Sequence, residues 1–185
     1  MIIMISGLTG SGKTVMMTRL LWLAYRKGMT IRANYKLYFP FKPISMTEML
    51  KFKIDNCAIG LDEGYRYVDS HHHSRLTTLL SYFVNQSRKR KVHFITNSQR
   101  AINVHPQIRD LAHIRIFCEG LGPNPDRPTH LRYTFFERAS GRISQVTYAT
   151  AKLQRAFALY EPDEVYDIIS GLKEQRKLKQ WVRSL

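Results

Sequence analysis

The sequence predicts an α/β fold, a central and mostly parallel sheet flanked by helices. Three observations carry that expectation. Short apolar segments alternate with helix-period segments as far as Cys118, in the order β-α-β-α-β-α-β-α-β, and parallel crossover units require such alternation. The first segment, Ile2 to Ile5, is apolar throughout, which suits a strand buried on both faces. A glycine-rich turn, GLTGSGKT from Gly7 to Thr14, then stands directly between that strand and the first helix.

Each element follows from local pattern. A helix starts at Lys13, with Val15, Met16, Leu20, Leu23 and Ala24 at helical spacing and Gly28 as its stop. Met16, Met17 and Trp22 read as core. A second strand spans Thr30 to Asn34. A connection rich in proline and aromatic residues, Tyr35 to Pro43, precedes a short helix over Thr47 to Phe52. Asn56 to Leu61 is the third strand, ending at Asp62-Glu63. A loop from Gly64 to Ser74 leads into a helix over Arg75 to Arg88, whose apolar face is Leu76, Leu79, Leu80, Phe83 and Val84. Val92 to Thr96 is the fourth strand, Ala101 to Asp110 a helix-like stretch broken at Pro106, and Ile114 to Cys118 the fifth strand. Gly120 to Pro128 is a loop. Leu131 to Glu137 and Ile143 to Tyr148 form a hairpin turning at Ser140-Gly141. The tail from Asp163 to Leu185 reads as a charged helix. The chain is thus expected to be one domain, with a core over 1–118, a hairpin over 129–149 and a basic helical segment over 160–185.

The composition is that of a soluble globular protein, with 44% hydrophobic and 23% charged residues. No apolar run approaches the ~18 residues of a membrane span. The N-terminal apolar segment is too short for a secretory signal. Cys57 and Cys118 have neither metal nor disulfide spacing and read as reduced thiols of a cytoplasmic protein. Twenty-nine Lys and Arg against fourteen Asp and Glu leave a net charge of +15. A surface so basic attracts nucleic acid or an anionic membrane, the bland alternative being a solvated basic face or an acidic protein partner.

The glycine-rich turn fits G-x-x-x-x-G-K-[ST] with a strand before it and a helix after it. Glycines permit the tight turn and bring backbone N–H groups onto phosphate oxygens. The helix N-terminus adds partial positive charge. Gly7, Leu8, Thr9, Gly10, Ser11, Gly12, Lys13, Thr14 and the adjoining Val15 are therefore the expected contacts of ATP, with Lys13 on the β- and γ-phosphates and the Thr14 hydroxyl on Mg²⁺. Asp62, after an apolar strand, would bind the Mg²⁺, and Glu63 would act as general base toward water. Ligands of open α/β sheets gather at strand C-termini, so the acid pair and the turn reinforce one another. Asn97 and Gln99 follow the fourth strand, where a polar side chain can touch the γ-phosphate or orient the water; turn chemistry is the plain alternative. Arg88-Lys89-Arg90-Lys91 closes a helix, either complementing its dipole or offering Arg88 as an arginine finger to a neighbouring subunit. His71-His72-His73 reads as an exposed loop, because a run of adjacent histidines does not converge on one metal.

These features resemble the ATPase domain of the zonula occludens toxin-like family, the assembly and export ATPases of filamentous phages, related to the FtsK–HerA class of DNA-pumping motors. The resemblance rests on GLTGSGKT, on Asn34 ending the second strand, on LDEGYRYVDS, and on NQSRKRKVHFITNSQRAINVHPQIRDLAHIRIF. It covers roughly Met1 to Phe117 well and the remainder loosely. It implies a RecA-like P-loop NTPase fold with strand order 5-1-4-3-2, and action as a ring, often a hexamer. It implies phosphate binding by Gly7 to Thr14, magnesium binding by Asp62, catalysis by Glu63, γ-phosphate sensing by Gln99, and a trans-acting role for Arg88. The segment Leu159-Tyr160-Glu161-Pro162 resembles one that follows the core and lies near the base, which nominates Tyr160. Phage members usually continue into a membrane span and a periplasmic tail. The sequence here contains neither, a departure that fits a soluble relative such as a viral packaging ATPase, or one that docks on a membrane protein or bilayer through its basic surface.

The expectation is accordingly a Mg²⁺-dependent ATPase that powers viral DNA translocation in virion assembly, extrusion or packaging, in the host cytoplasm or at the inner face of the membrane. The alternatives are an ATP-gated assembly module at a membrane or coat partner, and a nucleotide kinase.

Overall fold

The computed structural model describes residues 1–44, 54–63, 84–87, 89–101, 104, 106–124 and 127–165. Among these, β1 (Ile2–Ser6), β2 (Thr30–Ala33), β4 (Lys42–Pro43), β5 (Cys57–Leu61), β6 (His93–Ser98), β7 (Ile114–Leu121), β8 (His130–Glu137) and β9 (Ile143–Ala149) form one sheet, ordered β4-β2-β5-β6-β1-β7-β8-β9. Pairing is parallel from β4 through β7 and antiparallel from β7 through β9. The five core strands stand as β7-β1-β6-β5-β2, which is the order 5-1-4-3-2 that the resemblance implies.

The apolar strands are central because both their faces are covered. Ile2, Ile3, Met4 and Ile5 are all buried, as are Cys57 to Leu61. The first helix, α1 (Lys13–Arg26), lies against the sheet. Its end is a Schellman motif, with the Met29 N–H donating to the Ala24 carbonyl and the Gly28 N–H to that of Tyr25. Gly28 takes φ +80°, which is where glycine stops a helix. The buried stripe differs by one position from the expected one. Leu21 is fully buried, whereas Leu23 is 49% exposed. Leu21 reaches so far onto β5 that a Cβ at Gly60 would lie 2.6 Å from its Cδ1. Met16 and Met17 are core; Trp22 is half-buried, edge-on to Phe39 at 5.2 Å between ring centres.

Several elements correct the sequence reading. The connection after β2 carries two short strands, β3 (Tyr35–Leu37) and β4. β6 continues through Asn97 and Ser98, which are polar yet buried because they pair with Ile5 and Ser6. The helix read as broken at Pro106 begins there instead, as α2 (Pro106–Leu111); proline suits a first helical turn, where its missing N–H has no intrahelical partner to lose. β7 runs on to Leu121 and pairs with β8 over its whole length, so the hairpin extends the main sheet. The β8–β9 turn falls at Ser140-Gly141 as expected, with Gly141 at φ +67°. After β9, a 3₁₀ turn (Thr150–Leu153) and the short α3 (Gln154–Phe157) lead into β10 (Tyr160–Val165). Asp163 to Val165 are therefore strand, not helix: β10 pairs antiparallel with β3, and its shifted register accommodates Pro162, which has no N–H to donate. The expected helix over Thr47 to Phe52, the loop carrying His71 to His73, Arg88 and the tail beyond Val165 lie outside the described residues. Of the expected helix over Arg75 to Arg88, residues 84–86 are described and helical.

The α1 register yields a contrast. Leu21→Ala should cost about 2–5 kcal/mol of stability, while Leu23→Ala should stay within about 0.5 kcal/mol. Denaturant unfolding of both variants measures the difference, and equal losses would mean that the helix is rotated from this position.

Candidate functional site

The site lies along the C-terminal ends of four adjacent parallel strands, β5, β6, β1 and β7. The turn after β1 is built by close approach. A Cβ at Gly7 would lie 2.3 Å from the Cys118 carbonyl oxygen on β7. Gly12 has φ +81°, and a Cβ there would lie 2.5 Å from Leu131 Cδ1 and 2.8 Å from the Tyr133 hydroxyl. The turn thus rests against β7 and β8, and the Tyr133 hydroxyl donates to the Gly12 carbonyl at 3.4 Å. Leu8, 73% exposed, and Thr9 form the outer rim.

Lys13 is folded back on the turn, its Nζ donating to the Leu8 carbonyl at 2.7 Å. Burial lowers its pKa from the usual lysine value, while Cys118, Asp62 and Glu63 act in the opposite sense. The Ser11 hydroxyl is buried without a hydrogen-bond partner among the described atoms. A buried hydroxyl left without a partner in a glycine-rich turn is a site that an added oxygen anion satisfies.

Two strands away, Asp62 and Glu63 leave β5. The Thr14 hydroxyl lies 3.4 Å from both Asp62 carboxylate oxygens. The Asp62 carboxyl is pushed above the ordinary aspartate value by burial, against which hydrogen bonds from Asn97, the Glu63 N–H and Thr14 work in the opposite direction. Glu63 has φ +49°, uncommon for a non-glycine residue. That bend is held by Asn97, whose Oδ1 accepts from the Glu63 N–H at 2.7 Å. Asn97 Nδ2 donates to Asp62 Oδ1. Asn34 flanks the pair from β2: its Nδ2 donates to the Asp62 carbonyl at 2.9 Å, and its Oδ1 accepts from the Asp62 N–H at 2.7 Å.

This arrangement suits a hard divalent cation. Thr14 and Asp62 offer oxygen atoms only. No group of three or more His, Cys, Asp or Glu side chains among the described residues could hold a metal by itself. A cation bound by one carboxylate, one hydroxyl and ligand phosphates has the pattern of Mg²⁺.

Beside the turn opens a cleft of about 470 Å³, lined by Gly10, Gly12, Lys13, Thr14 and Val15 on one side and by Arg127, Pro128, Leu131, Thr150, Phe157 and Tyr160 on the other. Tyr160 stacks edge-on against Tyr35 at 6.2 Å between ring centres, and burial pushes its hydroxyl up to about 12. It is neutral at ordinary pH. The Cys118 thiol, likewise raised to about 12 by burial, packs behind the turn as a neutral group.

The structure thus gathers Gly7 to Val15, Asp62, Glu63, Asn97 and Tyr160 in one region. Asn97 lies within β6 rather than after it, with both ends of its amide engaged by the acid pair. Gln99 stands exposed just past the end of β6. Of the cleft's outer wall, only Tyr160 was legible in the sequence. Arg127 sits in a loop with no motif, and Phe157 in a four-residue helix too short to show periodicity.

No protein-family model matches the sequence, and no curated protein matches it. Solved structures do match. The N-terminal domain of zonular occludens toxin from Neisseria meningitidis aligns with a TM-score of 0.65 and 14% identity, over 86% of this chain and 98% of that one. The genome packaging NTPase B204 from Sulfolobus turreted icosahedral virus 2, in complex with ATP-gammaS, aligns with a TM-score of 0.58 and 12% identity, over 78% and 95%. The ATPase domain of G40P aligns with a TM-score of 0.55 and 11% identity, over 80% of each chain. At such identities the similarity is one of fold, and the fold is the RecA-like one of P-loop NTPases.

Gly12→Ala should destabilise the chain by at least about 1 kcal/mol, because it places a Cβ in a left-handed conformation and against Leu131 and Tyr133. Chemical denaturation reads this loss; an unchanged midpoint would contradict the packing of the turn on β8.

Proposed function

We propose that this chain is a Mg²⁺-dependent ATPase, akin to the zonula occludens toxin-like and FtsK–HerA motors, that moves viral DNA during virion assembly, extrusion or packaging. The observation that carries the reading is the meeting of two separate sequence motifs. The glycine turn with Lys13 and Thr14 ends β1, the acid pair ends β5, and Thr14 and Asp62 come within 3.4 Å of each other.

In this reading the triphosphate lies along the amides of Gly10 to Thr14. Lys13 exchanges the Leu8 carbonyl for phosphate oxygens, and Ser11 gains an acceptor. Thr14 and Asp62 would hold Mg²⁺, which when bound would neutralise charge on the phosphates. Glu63 accepts a proton from water as the water oxygen attacks the γ-phosphorus. The bond from that phosphorus to the β–γ bridging oxygen breaks, and ADP and phosphate leave. Gln99, exposed just past the end of β6, would respond to the γ-phosphate, and Arg88 would serve a neighbouring subunit's nucleotide. Pro128, Leu131, Phe157 and Tyr160 provide apolar and ring surface for the base.

A nucleic-acid partner is supported by the net charge of +15. Assembly as a homo-oligomeric ring, in the host cytoplasm or peripherally at its membrane, completes the proposal. Among the described residues no helix is long and apolar enough to cross a membrane.

The test compares wild type, Lys13→Ala and Glu63→Gln for ATP hydrolysis with and without single- and double-stranded DNA, beside a native mass measurement with a nucleotide analogue. Wild type should hydrolyse ATP, be stimulated by DNA and self-associate. Lys13→Ala should lose nucleotide binding. Glu63→Gln should bind nucleotide but hydrolyse it about 10²- to 10⁴-fold more slowly. A wild-type protein that neither hydrolyses ATP nor self-associates would remove the motor reading.

A further inference from the structure

We propose that Asn34 is a positioning residue that sets the metal-binding carboxylate of Asp62 by clasping its main chain. The inference rests on the nucleotide-site reading above and extends it to a residue just past the end of β2.

β2 pairs with β5 in parallel, and its last paired residue, Ala33, stands opposite Gly60. The Asn34 N–H still donates to the Gly60 carbonyl, at 3.3 Å. Beyond that point the β2 ladder offers nothing to Asp62. A peptide group at the end of a buried strand needs a partner for both its N–H and its C=O. The Asn34 side chain supplies both, at 2.7 Å and 2.9 Å. One amide thereby imitates one further residue of strand.

The chemistry of the side chain explains the choice. The clasp needs a donor and an acceptor on a short stem. Aspartate lacks the donor at neutral pH, and glutamine is longer by a methylene. Asn34 is itself fully buried, so its orientation is set by packing and not by solvent. On the other flank, Asn97 of β6 plays a matching part toward the Glu63 N–H. Two asparagines from the two neighbouring strands thus hold the acid pair where the chain departs from the sheet.

The clasp is also tied to the helix that carries the other oxygen donor. Tyr35, next to Asn34, is buried, and its hydroxyl meets Thr18 Oγ1 at 3.0 Å. Thr18 lies one turn beyond Thr14 on α1. The main chain at Asn34 is therefore fixed to α1, and the clasp fixes Asp62 to Asn34. Thr14 and Asp62, which belong to different motifs, are both referred to one helix. A shift of Asp62 relative to Thr14 would spoil a shared cation site without touching the phosphate cradle.

This separation defines the experiment. The affinity of a non-hydrolysable ATP analogue is measured by calorimetry in EDTA and in Mg²⁺, for wild type, Asn34→Ala and Asn34→Asp, alongside thermal melting. Removing a partner that orients a metal ligand typically weakens metal binding 10- to 100-fold. Both variants should bind the analogue in EDTA as wild type does, while the gain on adding Mg²⁺ falls by about tenfold or more. If Asn34→Ala does not fold, the isosteric Asn34→Asp, which keeps the acceptor and loses the donor, carries the comparison. An unchanged Mg²⁺ gain overturns the proposal. So does a loss that appears equally in EDTA and in step with the melting temperature, because that is a structural defect alone. A wild-type protein with no Mg²⁺-dependent gain would instead overturn the nucleotide-site reading, and this inference with it.

Discussion

Thr14 meets the Asp62 carboxylate only because β1 and β5 run in the same direction with one strand between them. Parallel strands deliver all their C-terminal ends to one edge of the sheet. The glycine turn, the acid pair and the buried end of β6 therefore share a few ångströms although up to ninety residues of chain separate them. An antiparallel partner in place of β6 would send Asn97 to the opposite edge. Ile2 to Ile5 of β1 and Cys57 to Leu61 of β5, buried on both faces of the sheet, pack that geometry in place.

The antiparallel half of the sheet supports the same constraint from the other side. Leu131 and Tyr133, two residues apart on β8, face the turn at Gly12, while the Cys118 carbonyl on β7 closes over Gly7. The hairpin is thus the backing of the glycine turn. Beyond it, the β3–β10 pair brings Tyr160 to the cleft and braces it on Tyr35. Tyr35 in turn neighbours the asparagine that holds Asp62, so the outer wall of the cleft and the acid pair share a foundation in the residues after β2.

Legibility in the sequence followed locality. The strand–turn–helix from Ile2 to Arg26 was readable nearly to the residue, because its glycines, lysine and helical period are contiguous and a glycine follows its C-cap. Asp62-Glu63 was readable because an apolar run ends abruptly in charge. The strand order came from the resemblance and is the order present. What the sequence hid depends on contacts between distant segments. Asn34 and Asn97 look like strand-ending polar residues; only the pairing of β2, β5 and β6 reveals that their amides engage the acid pair. Asn97 and Ser98 are polar residues that read as lying past the strand, yet both are buried beside β1. β10 resembled the start of a charged helix, since nothing within Tyr160 to Val165 announces a partner at Tyr35 to Leu37. The choice of Leu21 over Leu23 for the core turned on a one-residue rotation of α1 that the spacing of apolar residues left open.

The account stands on a single joint: a polyphosphate seated in the turn, with a divalent cation between Thr14 and Asp62. The most direct measurement is a crystal structure of the chain with Mg²⁺ and a non-hydrolysable ATP analogue. The account predicts phosphate oxygens on the amides of Gly10 to Thr14, Lys13 swung from the Leu8 carbonyl onto the phosphates, and the metal touching the Thr14 hydroxyl on the side facing Asp62. A turn without phosphate density, or a metal bound away from Thr14 and Asp62, would contradict it.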